Sequence, residues 1–388
     1  MRICLVSETW SPDINGVANT LHQLSRELLA RDVALQLIRP EPYAPGRRKG
    51  RTPGMQAELK VRGIPLPGYR DVRAGMPATR RLLQLWQKQR PDVVYLATQG
   101  PLGWSARRAA RRLSIPVVAG WHTNFDHYCR DYGVPWLAPV LLGALRRFHN
   151  GCTATLVPTH RQAEALAERG FLNLNVMGRG VDGERFSPIH RDAELRRAWG
   201  SDDHVPVALH VGRLASEKNL DLLQETFHTM RLARPDMGLV IVGDGPARRS
   251  LEKALPEAHF TGFLPEHELA RHYASADLFI FPSLSETWGN VVSEAMASGL
   301  AVLAYDHAAA AELIDDGING VVIAPHDGKR FCEAAAALCQ QPARYARLGR
   351  AARQRALSCH WPAIADTFLS LLEQARETTH APTRSCTI

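Results

Sequence analysis

Residues Asp277–Tyr305 read DLFIFPSLSETWGNVVSEAMASGLAVLAY, and this stretch decides the fold. Asp277–Pro282 and Ala301–Tyr305 are apolar runs too short for helices and suited to a pleated sheet. Between them a polar loop leads into a helix-length segment that stops at Gly299, a residue favoured just past a helix end. Strand, helix and strand in that order form a crossover unit, whose strands lie parallel and are covered on both faces.

The same alternation continues outward in both directions. The second half holds further strand candidates at Pro206–Val211, Gly238–Val242, His259–Phe263 and Gly320–Ala324. The first half holds Arg2–Ser7, Val33–Arg39, Val93–Ala97, Pro116–Trp121, Ala154–Val157 and Leu174–Met177. Between the halves, Gly178–Arg191 carries two glycines before Asp182 and closes near Pro188, the composition of a linker. A chain of 388 residues is long for one core, so two tandem doubly wound α/β domains are expected. Tyr43–Gly54, rich in proline and glycine, is expected to be a mobile loop. After His360-Trp361-Pro362 a helix is expected to about Ala375, with a disordered polar tail from Thr378.

Composition narrows the function classes. Hydrophobic content of 45% and charged content of 22% belong to a folded globular chain. No apolar run reaches the roughly 18 residues that span a bilayer. The longest, Trp136–Leu145, is broken by Pro139 and followed by Arg146 and Arg147. Glu8 and Asp13 interrupt what would be the apolar core of a signal peptide. The seven cysteines are odd in number and contain no CxxC pair, against a disulfide framework or zinc site and for a reducing, cytoplasmic setting.

The net charge of +8 is unevenly spread. Residues 1–190 hold 27 Lys and Arg against 14 Asp and Glu, and the remainder holds 20 against 25. No zinc-finger spacing or aromatic ribonucleoprotein motif is present, so nucleic acid is not expected as a partner. The basic half leaves two readings open: ordinary solvated faces, or contact with an anionic membrane through Trp136–Leu145, Arg146, Arg147 and the arginines at 107–112.

Open parallel sheets bind ligands at the carboxyl ends of their strands, so the residues that follow each strand carry the chemistry. After the first strand, Gly16 stands where a loop enters a helix and the backbone can approach an anion. Gly243-Asp244-Gly245 lacks the third glycine of a dinucleotide fingerprint, which argues against an oxidoreductase. His122 follows the strand Pro116–Trp121 and brings an imidazole to the ligand edge. Arg213 and Lys218 stand five apart around a strand-to-helix turn, so both can reach one diphosphate and stabilise its leaving-group charge without a metal. Glu286 and Glu294 bracket a loop and a helix start. The intervening Trp288, Gly289, Asn290 and Val291 offer backbone N–H groups to an anion. One carboxylate can accept sugar hydroxyls and the other ribose hydroxyls, with the diphosphate between them. The opposing structural reading makes Glu286 a helix cap and leaves Glu294 exposed.

Taken together, these residues resemble glycosyltransferase family 4, retaining enzymes of the GT-B fold, over nearly the whole chain. Glu286 and Glu294 match the family's E-x7-E signature, and Gly212-Arg213 through Lys218 match GR-x4-K. Val242-Gly243-Asp244-Gly245-Pro246, His122-Thr123 and Phe260-Thr261-Gly262-Phe263-Leu264 match further segments, the last including Phe263 and Leu264 at the base. Gly16 matches the first-loop glycine, although Asn15 stands where the family often has a second one. Trp288 likewise departs from the Phe or smaller residue that is common there.

The resemblance implies an acceptor-binding domain over 1–180 and a nucleotide-sugar domain over 181–358. It also implies a helix over 359–377 that returns to the first domain, and a tail over 378–388. It further implies Glu294 on the ribose, Arg213 and Lys218 on the diphosphate, and Glu286 with Gly289 and Asn290 on the sugar. His122 would serve the sugar or the leaving phosphate, and no metal or other cofactor would be needed. The run Trp121–Asp126 with Glu286–Asn290 resembles the bacterial α-mannosyltransferase and glycolipid-synthase branch. That branch implies GDP-mannose as donor and a lipid-linked or saccharide acceptor, with a UDP-sugar as the alternative. A sugar-nucleotide 2-epimerase and a non-catalytic nucleotide-binding protein remain as readings of other classes. A setting at the inner face of the cell membrane follows from a lipid acceptor.

Overall fold

Two parallel sheets dominate the computed structural model, which describes residues 1–11, 13, 15–41, 52–66, 69–122, 138–202 and 204–380. These residues fall into two compact units. One comprises the described residues up to 122, 138–179 and 361–380, and the other comprises 180–202 and 204–360.

In the first unit the strands are β1 (Arg2–Val6), β2 (Ala34–Pro40), β3 (Met55–Val61), β6 (Val93–Leu96), β7 (Val117–Gly120), β8 (Ala154–Val157) and β9 (Leu174–Val176), with a hairpin of β4 (Gly63–Leu66) and β5 (Tyr69–Gly75). The sheet order is β3-β2-β1-β6-β7-β8-β9, every pairing parallel. Its central strands are apolar on both faces because helices cover both. Of those helices, α1 (Gly16–Ala30) and α2 (Pro101–Arg112) start at the carboxyl ends of β1 and β6, and α3 (Ala138–His149) precedes β8.

The second unit repeats the plan. Strands β10 (Val207–Val211), β11 (Gly238–Val242), β12 (His259–Gly262), β13 (Leu278–Phe281), β14 (Ala301–Tyr305) and β15 (Val321–Ile323) run in the order β12-β11-β10-β13-β14-β15. All are parallel. Helices α4 (Leu220–Ala233), α5 (Glu266–Ser275) and α6 (Asn290–Ala297) follow β10, β12 and β13. In both units the strand order reverses once, between β1 and β6 and between β10 and β13, and ligands of doubly wound sheets bind at such switch points.

The last helix, α7 (Trp361–His380), belongs to the first unit and buries Trp361, Phe368 and Leu372 in its core. It runs past Ala375 and through Thr378, further than its expected end, because Ala375 is still buried against that core. Strand β3 and the hairpin are additions to the expected strands. Met55–Val61 is an edge strand in which buried Met55, Ala57 and Val61 are separated by polar Gln56, Glu58 and Lys60, so it carries no continuous apolar run. Strand β7 ends at Gly120, so His122 lies two residues beyond it. Most of the expected loop Tyr43–Gly54, the run after His122, Trp136 and the chain end lie outside the described residues. Among the described residues no helix is long and apolar enough to cross a membrane.

Candidate active site

At the switch point of the second sheet, strand β10 runs out into Gly212-Arg213 and β13 into Pro282 and Ser283. The Gly212–Lys218 loop is pinned from beneath by the turn after β11. Gly212 donates to the Val242 carbonyl at 3.0 Å, Leu214 to that of Asp244 at 3.0 Å, and Ala247 to that of Leu214 at 2.9 Å. Such close backbone approach requires glycine. Gly243 has φ of +136°, and a Cβ there would lie 1.9 Å from the Gly212 oxygen.

Lys218 closes a single 3₁₀ turn and is followed by Asn219 in the left-handed region, φ 56°. Asn219 donates to the Pro282 carbonyl at 3.2 Å, and the Ser285 hydroxyl donates to the Glu217 carbonyl at 2.8 Å. These bonds tie the two loops together, and Lys218 forms an ion pair with Glu286. Ser283 donates to the same carboxylate at 2.9 Å. Burial pushes the Glu286 carboxyl up, but the Lys218 charge and these hydrogen bonds outweigh it and hold it below the usual range. Arg213 lies 3.8 Å from Glu217 on the same loop and is more exposed than Lys218.

The loop ends at Gly289, whose φ of +89° lets the chain turn into α6. Glu286 does not cap that helix, and Glu294, inside it, is not an exposed side chain. The Tyr273 hydroxyl of α5 donates to Glu294 Oε2 at 3.0 Å, and burial pushes this carboxyl up to about 7. Trp288 is packed in the core with an indole N–H that finds no partner among the described residues. Phe263 and Leu264 follow β12, Phe263 being 68% exposed while Leu264 packs on the core. The structure thus brings Arg213, Lys218, Glu286, Trp288, Gly289 and Asn290 to one sheet edge, with Glu294 behind them.

In the first unit, Gly16 is the first residue of α1. Asn15 is its N-cap and accepts from the Ala18 N–H at 2.9 Å. The helix therefore starts at Gly16 itself, and Asn15 has a capping task of its own. His122 sits between two partners that sequence reasoning missed. Tyr95 at the end of β6 approaches Nε2 at 2.9 Å, and Arg179 approaches Nδ1 at 2.5 Å. Nothing in the local spacing joins these residues. Only the Gly178-Arg179-Gly180 pattern, a cation between glycines beside the linker, was a visible signal. A third omission is Glu8. It accepts from the Leu102 N–H at 3.2 Å at the start of α2, and burial pushes it up to about 7.

The site combines two cations, a charge-paired carboxylate and a second carboxyl raised to about 7 by burial, at a strand-order reversal. That chemistry suits an anionic leaving group attached to a hydroxyl-rich group. Among the described residues no group of three His, Cys, Asp or Glu side chains is placed to hold a metal ion.

Comparison with known proteins gives the family. Residues 14–185 match the model for Glycosyltransferase Family 4, and residues 191–355 match that for Glycosyl transferases group 1. The chain is 35% identical to a GDP-mannose-dependent alpha-mannosyltransferase of Mycobacterium tuberculosis, over 98% of this chain and 99% of that one. It is 29% identical to a GDP-mannose-dependent alpha-(1-6)-phosphatidylinositol dimannoside mannosyltransferase of the same species, covering 96% of each. Among solved structures, Anabaena HepE in complex with UDP superposes with a TM-score of 0.76 at 19% identity, over 96% of this chain and 100% of that one. With both halves matched and the relatives covered end to end, the chain belongs to glycosyltransferase family 4 and is a hexosyltransferase of the GT-B fold.

Proposed function

We propose that the protein transfers mannose from GDP-mannose to a lipid-linked or saccharide acceptor, with retention at the anomeric carbon, an α-linkage and no metal requirement. The Lys218–Glu286 ion pair at the β10–β13 switch point carries this reading. In the structure each partner neutralises the other. A diphosphate draws the Lys218 ammonium, with Arg213, to its oxygens and releases the Glu286 carboxylate to accept sugar hydroxyls. The backbone of Gly289, Asn290 and Val291 at the start of α6 serves the same group, and Trp288 bounds it. Glu294 accepts the ribose hydroxyls, the backbone around Phe263 and Leu264 holds the base, and Gly16 approaches the phosphate. His122 donates to the sugar or the leaving phosphate, and that phosphate takes the proton of the attacking hydroxyl.

The mycobacterial relatives support GDP-mannose as donor, and the name of the second supports a phospholipid-borne acceptor. Peripheral contact with an anionic membrane is consistent with α3, where Val140 is 69% exposed and Arg146 and Arg147 lie on the surface. The test is GDP-mannose turnover in EDTA, with phosphatidylinositol mannosides in anionic vesicles as acceptor and the product anomer read by NMR. An α-mannoside formed without metal is the expected product. A β-linked product, or turnover only with a divalent ion, contradicts the proposal.

A further inference from the structure

The surroundings of His122 determine its protonation state by donor counting. A guanidinium has only donors, so Nδ1, 2.5 Å from Arg179 Nη2, must accept. The ring proton therefore sits on Nε2 and is donated to the Tyr95 hydroxyl oxygen at 2.9 Å. An imidazolium would turn an N–H towards the guanidinium, so this contact disfavours the charged ring in addition to burial and the Arg179 charge, which together hold it well below its usual range. Arg179 itself is only 5% exposed, and no carboxylate among the described residues opposes its charge. Among the described residues, the other titratable group acting on the ring besides Tyr95 and Arg179 is His149 of α3. Its own ring is held by Thr155 at 3.0 Å and Gln99 at 3.2 Å. Phe368 of α7 packs edge-on against Tyr95, ring centroids 4.9 Å apart, and fixes the second partner. Gly120 makes room for the pair, since a Cβ there would lie 2.3 Å from Tyr95 Oη and 2.4 Å from His122 Nε2.

We propose that Arg179 is a positioning residue that holds His122 as the neutral Nε2–H tautomer, so that His122 offers the reaction a hydrogen bond and never a proton. Tyr95 fixes the ring plane. The role in catalysis rests on the reading of His122 given under Proposed function, whereas the tautomer does not. A sugar or phosphate oxygen competes with Tyr95 for the Nε2 proton. The charge of the leaving group is left to Arg213 and Lys218.

The test uses the full-length protein labelled with ¹⁵N-histidine, the His122 signals being assigned by their loss in His122→Gln. Nitrogen shifts are followed from pH 8 to pH 5, and kcat is measured at saturating donor over the same range. In the wild type, Nδ1 is expected to stay unprotonated and kcat to show no limb belonging to His122. Arg179→Gln is expected to free Nδ1, so that the tautomers mix and His122 becomes easier to protonate, while burial still holds it below its ordinary value of about 6.5. In that variant kcat should fall roughly ten- to hundredfold, as for loss of one charge-assisted hydrogen bond, with a new acid limb. Arg179→Lys keeps the donor and is expected to restore most of the loss. Should Arg179→Gln fail to fold, Tyr95→Phe decides, because it removes the Nε2 acceptor and is expected to leave the tautomer unchanged. A proton on Nδ1 in the wild type, or a kcat loss in Arg179→Gln with neither tautomer change nor acid limb, overturns the proposal. A neutral Nε2–H ring in a protein that transfers no mannose refutes the donor reading and leaves the positioning role standing.

Discussion

Glu294 carries much of the pH behaviour expected of the site. Its carboxyl is raised to about 7 from an ordinary 4.5, so it contributes stability that is complete below pH 4.5 and lost as pH rises through about 7. Glu294→Gln should remove that dependence and raise the stability of the ligand-free protein at pH 8 by about 3 kcal/mol, read from urea unfolding at pH 5 and pH 8. Ribose hydroxyls favour the ionised carboxylate, so nucleotide binding should release a proton. GDP affinity should rise between pH 6 and 8, which calorimetry in two buffers of different ionisation enthalpy can measure. Lys218 poses a second test. Lys218→Met strands a buried carboxylate and should cost about 3 kcal/mol, most of it recovered in Lys218→Met with Glu286→Gln. The spacing of Arg213, Lys218, Glu286 and Glu294 was legible in the sequence because one loop and one helix carry it. Tyr273, Tyr95 and Arg179 were not, because other elements supply them and only the folded sheet brings them near.

Between residue and molecule lie the turns that set each loop's height. Strands β10, β11, β13 and β14 could be recognised from apolar runs alone, since both faces of a central parallel strand are buried. Edge strand β3 could not, since its alternation resembles a solvated segment. The glycine turn after β11 supports the cation loop. Gly243→Ala combines a positive φ with a Cβ that would meet the Gly212 carbonyl oxygen at 1.9 Å. That substitution should destabilise the second unit by roughly 2–3 kcal/mol and weaken nucleotide binding more than Gly317→Ala, where φ is also positive but the space is open. Denaturant curves and GDP titration of the two variants make the comparison.

Across the whole molecule, two sheets of the same plan were visible in the alternation of strand- and helix-length segments. The place of α7 in the first unit was expected only from the family resemblance, because no local pattern says which core an amphipathic helix joins. Its anchor is Phe368, buried among the first unit's residues and packed edge-on against Tyr95. Phe368→Ala should therefore cost roughly 3–5 kcal/mol and disturb His122 without touching substrate. The basic first half is the other large-scale feature, and flotation with anionic vesicles at low salt tests its membrane reading. Binding that fades with salt supports it, and its absence removes it.

The central claim is that this edge of the second sheet takes GDP-mannose without metal, and a thermal-shift panel tests it most directly. GDP, GDP-mannose, UDP and UDP-glucose are each added near 100 times the expected dissociation constant, with EDTA present. GDP and GDP-mannose should stabilise the protein by about 2.7 kcal/mol, a shift of a few degrees, and the uridine compounds by far less. Stabilisation by UDP and UDP-glucose with no response to GDP or GDP-mannose would contradict the account.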